Sequence, residues 1–257
     1  MEWVAATPET PQSKGLEVKE FSLDEGKRRV TGVLWKGEVC RPGAPLVLFG
    51  HGASGNRHQM PIPLLAEAMV HGHGFFALAI DGPVHGRRQV GEGGRKAFWP
   101  EWERSGTVED MVADWQVALD AVQRLPEVGS GPVGYWGLSM GTIYGVPLVA
   151  AEKRVKAAVL GLMGISGPAH YRPTVEAAAR SIDCPVMFIA QLEDELFPRE
   201  EQSALFDALG TKDKRLHANP GLHAAVPMEE LRHSREFLNR YLAGTPEPRN
   251  SAFRVSE

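Results

Sequence analysis

Two cysteines, Cys40 and Cys184, are the only thiols in 257 residues. A disulfide framework is not expected from so few, and the pair fits a chain kept in the reducing cytoplasm. No apolar stretch approaches the ~20 residues a membrane-spanning helix needs, so no membrane partner is expected. The opening Met1-Glu2-Trp3-Val4-Ala5 lacks a basic segment followed by an apolar one, so no signal peptide is expected either. There is no surplus of positive charge: 28 Lys and Arg stand against 32 Asp and Glu, a net −4. Nucleic acid is thereby excluded as a partner, since its binding leaves a basic footprint. Internal repeats are missing as well. What remains is 43% hydrophobic and 23% charged, ordinary for a soluble globular protein and long enough for one large α/β domain.

Residues 1–15 read as a polar lead-in, 16–243 as the domain, and 244–257, with two prolines and little apolar content, as an irregular tail. Leu16 to Leu23 and Arg29 to Trp35 are β-like and separated by Asp24-Glu25-Gly26-Lys27, which predicts an N-terminal antiparallel hairpin. From Leu46 onward strands and helices alternate. The predicted strands are Leu46–Phe49, Phe75–Ile80, Val133–Trp136, Ala157–Leu162, Val186–Ala190 and Arg215–Ala218. Their near-continuous apolar character suits strands covered on both faces. The fold class is therefore α/β, a mostly parallel eight-stranded sheet flanked by helices.

The clearest helix begins near Thr107, with Asp110 as a capping partner and Met111, Trp115, Ala118, Leu119, Val122 and Leu125 at helical spacing. Others are expected over Arg199–Leu209, with Gly210 as its C-cap, and over Met228–Leu242. His71-Gly72-His73 has a metal-like spacing, but its place at a helix end favours a C-cap.

Gly137-Leu138-Ser139-Met140-Gly141 sits where the apolar run Val133–Trp136 gives way to a helix-like stretch. A serine between two glycines on such a strand-to-helix turn is a nucleophile elbow, its hydroxyl presented above the sheet edge. Upstream, the Leu46–Phe49 strand runs into His51-Gly52-Ala53-Ser54-Gly55. Downstream, the Val186–Ala190 strand ends in Gln191-Leu192-Glu193-Asp194-Glu195-Leu196-Phe197-Pro198. The last strand leads to Asn219-Pro220-Gly221-Leu222-His223. Serine, acid and histidine thus follow in that order, each just after a predicted strand.

In these motifs the chain resembles the α/β-hydrolase family, and within it the small single-domain esterases of the dienelactone-hydrolase and carboxylesterase type. The resemblance covers about residues 16 to 243. It implies a serine hydrolase with Ser139 as nucleophile, His223 as base and Asp194 as the acid that orients it. Relatives usually carry Gly where this chain has Gln191. Glu193 and Glu195 flank Asp194 and are alternatives to it, and His217 competes with His223. The resemblance also implies an oxyanion hole made by the backbone N–H groups of Met140 and Ala53. Asp81-Gly82-Pro83-Val84-His85-Gly86-Arg87 resembles a loop that braces the active-site face in relatives.

Gly164 to Asp183, where many relatives insert a lid, holds only a short segment around Thr174–Ser181, which implies a minimal cap. His51, Phe98, Trp99 and Trp102 are candidates for the substrate pocket, with a structural role, bonding to loop backbone, favoured for His51 and the aromatics equally core. Arg87, Arg88, Arg95, Lys96 and Arg104 either greet a carboxylate on the substrate or form a solvated surface. The reaction expected is hydrolysis of a small or short-acyl carboxylic ester through an acyl-enzyme, with no cofactor and no metal. Thioester, lactone and C–C bond hydrolysis share this machinery, and a non-catalytic small-molecule-binding module shares the scaffold. Oligomeric state is not legible.

Overall fold

Residues 20–23 of Leu16–Glu25 and 30–35 of Arg28–Gly37 are buried on both faces, and the two segments pair antiparallel, Leu16 opposite Gly37 and Glu25 opposite Arg28. A computed structural model describes residues 1–6, 15–26 and 28–244. A short strand, β1 (Glu2–Val4), adds antiparallel to this hairpin, whose strands are β2 and β3. It falls inside the expected polar lead-in and makes the sheet nine-stranded rather than eight-stranded. Trp3 holds it, with its ring edge-on to Phe21 and the Lys19 ammonium 4.1 Å from the ring centroid. The expected tail beyond Gly244 lies outside the described residues.

The other strands are β4 (Leu46–Gly50), β5 (Phe76–Ile80), β6 (Val133–Gly137), β7 (Val155–Gly161), β8 (Val186–Gln191) and β9 (Lys214–Asn219). The sheet order is β1-β2-β3-β5-β4-β6-β7-β8-β9, parallel from β5 to β9. All residues of β4, β5, β6 and β8 are buried, which is why these strands read as unbroken apolar runs.

Helices cover both faces. α1 (Ile62–His73) and α7 (Met228–Leu242) pack on one side around Trp35, Phe49, Met69, Trp136 and Leu238. α3 (Thr107–Gln123), α4 (Met140–Ala151), α5 (Tyr171–Ser181) and α6 (Arg199–Ala208) close the other around Leu48, Trp115, Tyr135, Leu160 and Phe188. No described helix is long and apolar enough to cross a membrane.

Three local readings change. Thr107 does not cap α3: Gly106 is the N-cap, and the Thr107 hydroxyl donates to Glu101 instead, leaving Asp110 to Arg28 and Arg104. Gly210 is not a left-handed C-cap of α6. Its N–H donates to Ala179 O, and a Cβ there would run into the Arg180 carbonyl, so close backbone approach demands the glycine. Within the long connection from Gly82 to Gly106 a helix forms, α2 (Gly94–Glu103). The signal for it was Phe98 and Trp102, four residues apart and both buried.

Candidate active site

Parallel strands deliver their following loops to one edge of a sheet, and ligands of open α/β sheets gather there. The ends of β4, β5, β6, β8 and β9 bring the loops of Ala53, Asp81, Ser139, Asp194 and His223 to that edge. Ser139 sits between β6 and α4 at φ 58°, ψ −120°, a left-handed conformation that a serine adopts only under constraint. The constraint is visible. Ser139 N–H donates to Gly161 O at 3.0 Å. The buried Thr142 hydroxyl accepts from Gly161 N–H at 2.8 Å and lies 2.6 Å from Gly161 O and 2.8 Å from Gly137 O. The flanking glycines answer to close neighbours: a Cβ on Gly141 would meet Gly50 O at 2.5 Å, and one on Gly137 the Tyr135 hydroxyl at 2.7 Å.

The Ser139 Oγ lies 2.9 Å from His223 Nε2, and His223 Nδ1 lies 2.8 Å from Asp194 Oδ2. The other carboxylate oxygen of Asp194 accepts Leu196 N–H at 2.8 Å and Phe197 N–H at 2.9 Å. Burial pushes the Asp194 carboxyl up, but the hydrogen bonds from His223, Phe197 and Leu196 outweigh it and hold it below the usual carboxylate range. The acid therefore stays charged, which favours the Nδ1–H tautomer of His223 and leaves the Nε2 lone pair facing the Ser139 hydroxyl.

The neighbouring acids face elsewhere. Glu195 accepts His223 N–H at 2.8 Å, and Glu193 accepts Gly221 N–H. His217 is hydrogen-bonded to Glu230 and does not line the cleft. Ala53 and Met140 N–H take no hydrogen bond among the described residues, and Met140 opens α4, where the helix dipole favours negative charge.

Residues 43–224 match the dienelactone hydrolase family. The chain belongs to this family. An esterase described as cold-adapted, from an Arctic intertidal metagenomic library, is 37% identical and superposes with a TM-score of 0.82 over 94% of this chain and 100% of that one. The acetyl xylan esterase of Paenibacillus sp. R4 (21% identity, TM-score 0.71, 94% of this chain and 88% of that one) has the same fold. So does the dienelactone hydrolase of Anabaena variabilis (19% identity, TM-score 0.67, 89% of this chain and 99% of that one). No curated protein matches the sequence. As a member of the family the protein is an enzyme, a hydrolase of the ester- and lactone-cleaving kind.

In this dienelactone hydrolase relative, Ser139 and His223 open onto a cleft of about 340 Å³. Its apolar walls include Phe98, Trp99, Ile143, Leu162, Leu196 and Val226. Phe98 and Trp99 are therefore wall residues, Trp99 remaining 42% exposed at the mouth. Trp102 is not. It stacks on Phe98, sets its edge to Tyr171 and is only 5% exposed, so it fills the core beneath α2. The cap over the cleft comes from α2, whereas no residue of α5 lines the cleft.

Of the cationic group, only Arg95 borders the cleft. Arg88 is paired with Asp114, Arg87 with Glu20, Lys96 with Glu92, and Arg104 with Glu101. His51 lines the cleft but is tied down on both ring nitrogens: Nδ1 donates to Gly52 O at 2.8 Å and Nε2 accepts Gly82 N–H at 2.8 Å. Burial, reinforced by His85, lowers its pKa to about 4 and keeps it neutral.

The contacts of two supporting groups were not legible in the sequence. Gln191, the departure from the usual glycine, is fully buried, and its side-chain amide faces Ala225 O at 3.0 Å, Leu222 O at 3.3 Å and Pro220 O at 3.4 Å. It pins the loop that carries His223. A buried charge cluster braces the loop of Ala53. Arg57 bridges Glu20 at 2.6 Å and Asp81 at 2.8 Å, and Asp81 also accepts the Thr31 hydroxyl at 2.6 Å. His85 faces Ala53 O at 2.9 Å, so the Asp81–Arg87 loop does brace this edge.

Proposed function

We propose that the protein hydrolyses compact carboxylic esters through an acyl-enzyme, with Ser139 as nucleophile, His223 as general base and acid, and Asp194 as the residue that orients the imidazole. One observation carries this reading: an unbroken hydrogen-bond chain from Asp194 Oδ2 through His223 to Ser139 Oγ, with links of 2.8 and 2.9 Å.

A serine hydroxyl is a weak nucleophile until a base removes its proton. As Ser139 Oγ bonds to the ester carbonyl carbon, its proton passes to His223 Nε2, and the charged Asp194 stabilises the imidazolium. The carbonyl electron pair moves onto oxygen, which accepts hydrogen bonds from the backbone N–H groups of Ala53 and Met140. Collapse expels the alcohol, which leaves with the proton from Nε2. Water then repeats the sequence on the acyl-enzyme and returns Ser139 to its starting state. Each oxyanion donor is worth about 3–4 kcal/mol in enzymes that use such a hole.

The 340 Å³ cleft lies near the lower end of small-molecule pockets, which supports short acyl groups and compact alcohols. Nitrophenyl acetate and butyrate should turn over faster than the laurate; the reverse order overturns the size preference. A fluorophosphonate probe should label Ser139 stoichiometrically and fail on Ser139→Ala. A folded parent that takes no label would refute the enzyme reading in favour of a binding module. Lactone opening uses the same steps with a tethered leaving group, and the family match favours including lactones in the substrate panel. The two thiols, both free, fit a reducing cytoplasm.

A further inference from the structure

We propose that His217, Glu230 and His233 form a binding site for one divalent transition-metal ion of the zinc class, at the outer edge of the sheet and apart from the candidate active site. The donor set is two imidazoles and one carboxylate. That combination suits zinc and its first-row neighbours, whereas calcium and magnesium prefer all-oxygen sites.

The two spacings to the shared carboxylate are close to what such an ion requires. One donor atom from each residue lies within 4.8 Å of the other two. Glu230 Oε2 is 2.8 Å from His217 Nδ1 and 3.6 Å from His233 Nδ1. With metal–ligand bonds of about 2.0–2.1 Å, a tetrahedral site separates its ligand atoms by roughly 3.3 Å. Both spacings reach that value by movements of a few tenths of an ångström.

The backbone sets these residues up in advance. Glu230 and His233 are three residues apart on α7 and therefore share one face. His217 lies on β9, the edge strand. Its face of β9 is turned toward α7, as Arg215 two residues earlier shows by bonding the Tyr241 hydroxyl. The Glu230 side chain is 5% exposed, while the imidazoles are 28% and 34% exposed. The carboxylate forms a fixed floor, and the solvent side leaves a position for water.

A simple His217–Glu230 hydrogen bond accounts for only part of this arrangement. His233 Nδ1 is buried beside the same carboxylate oxygen and has no hydrogen-bond partner. A buried polar atom left unpaired is costly, and a shared cation would satisfy it. Binding requires both imidazoles to present their Nδ1 lone pair and carry the proton on Nε2. His233 Nε2 now faces Arg232 Nη2 at 3.2 Å, and Arg232, more than half exposed, can turn away.

The ligands bracket the segment 218–229, which holds His223 and contributes Ala224, Val226 and Met228 to the cleft. The ion would staple the two ends of that loop. Its role is to hold the loop, with no part in bond breaking.

Chelator-treated full-length protein, titrated with cobalt(II) as the probe, tests this. The expected result is about one equivalent bound, with the visible d–d absorption of a four- or five-coordinate nitrogen–oxygen site, displaced by zinc. His233→Ala and Glu230→Gln should each weaken binding by roughly tenfold or more while retaining fluorophosphonate labelling of Ser139, which shows that they fold. Zinc should raise the melting temperature of the parent and not of the variants. The proposal is overturned by the absence of stoichiometric cobalt binding. It is equally overturned by parent-like cobalt affinity in both variants, or by the intense near-ultraviolet band of cysteine ligation.

Discussion

Asp194→Asn isolates the proposed role of the acid, because the structure dictates how the amide must lie. One carboxylate oxygen accepts two backbone N–H groups, from Leu196 at 2.8 Å and Phe197 at 2.9 Å, and the other accepts His223 Nδ1–H at 2.8 Å. The asparagine carbonyl has to stay with the two backbone donors, since its NH2 cannot accept them. That leaves NH2 pointing at Nδ1, and two donors cannot face each other. The imidazole must then move its proton to Nε2, where it points at Ser139 and can no longer take the hydroxyl proton. The expected loss in kcat is about 10⁴-fold, near 5.5 kcal/mol of barrier at 1.36 kcal/mol per decade, the size seen when a triad histidine is held in the wrong tautomer. Stability should fall by only about 1 kcal/mol, because the backbone bonds survive. Steady-state hydrolysis of nitrophenyl acetate alongside a urea titration reads both. A folded variant within tenfold of the parent kcat would refute the assignment of Asp194.

Thr142→Val keeps the side-chain shape but strands the buried Gly161 N–H, whose hydroxyl partner is 2.8 Å away. Urea unfolding should show a loss of about 1–3 kcal/mol, and Thr142→Ser should restore most of it. Asp81→Asn leaves Arg57 under-compensated in a buried site shared with Glu20; a destabilisation of about 3–5 kcal/mol is expected, read as a lower urea midpoint. His51, with a folded pKa of about 4 against about 6.5 when unfolded, binds its proton more readily in the unfolded chain. Its contribution is intact above pH 6.5 and fades as the pH falls toward 4, by up to about 3 kcal/mol. Unfolding at pH 7 and pH 5 should therefore differ less in His51→Gln than in the parent, despite the nearby His85, Asp81 and Arg57, which both proteins keep.

The parallel strands were legible because double-sided burial makes them apolar throughout, as in Leu46–Gly50 and Val186–Gln191. The serine elbow was legible because close backbone approach leaves room only for glycine at 137 and 141. Features that rest on one or two contacts were not. Strand β1 has three residues and is held chiefly by Trp3. Trp99 and Trp102 look alike in sequence, yet only a helix through both sends Trp99 to the cleft mouth and Trp102 against Tyr171. Helix α2 itself was masked by Pro100 within it and the glycine pair at its start. Gln191 registered only as a missing glycine, because its partners are carbonyls 29 to 34 residues away that no local pattern reveals.

Tyr135 lies beneath the serine turn, with its hydroxyl donating to Gly141 O at 2.5 Å. Its ring and oxygen occupy the space where Cβ atoms of Gly50, Gly137 and Gly145 would project. One aromatic side chain thus replaces three missing methyl groups drawn from two strands and a helix. A Cβ on Gly137 would also meet Gly141 O at 2.9 Å, so it is at Gly50 and Gly145 that an alanine rejected beside tyrosine meets less hindrance beside a smaller residue at 135. A mutagenesis campaign that changes positions 50, 135 and 145 one at a time would see three immutable sites, where pairwise libraries would find a single repackable unit under Ser139.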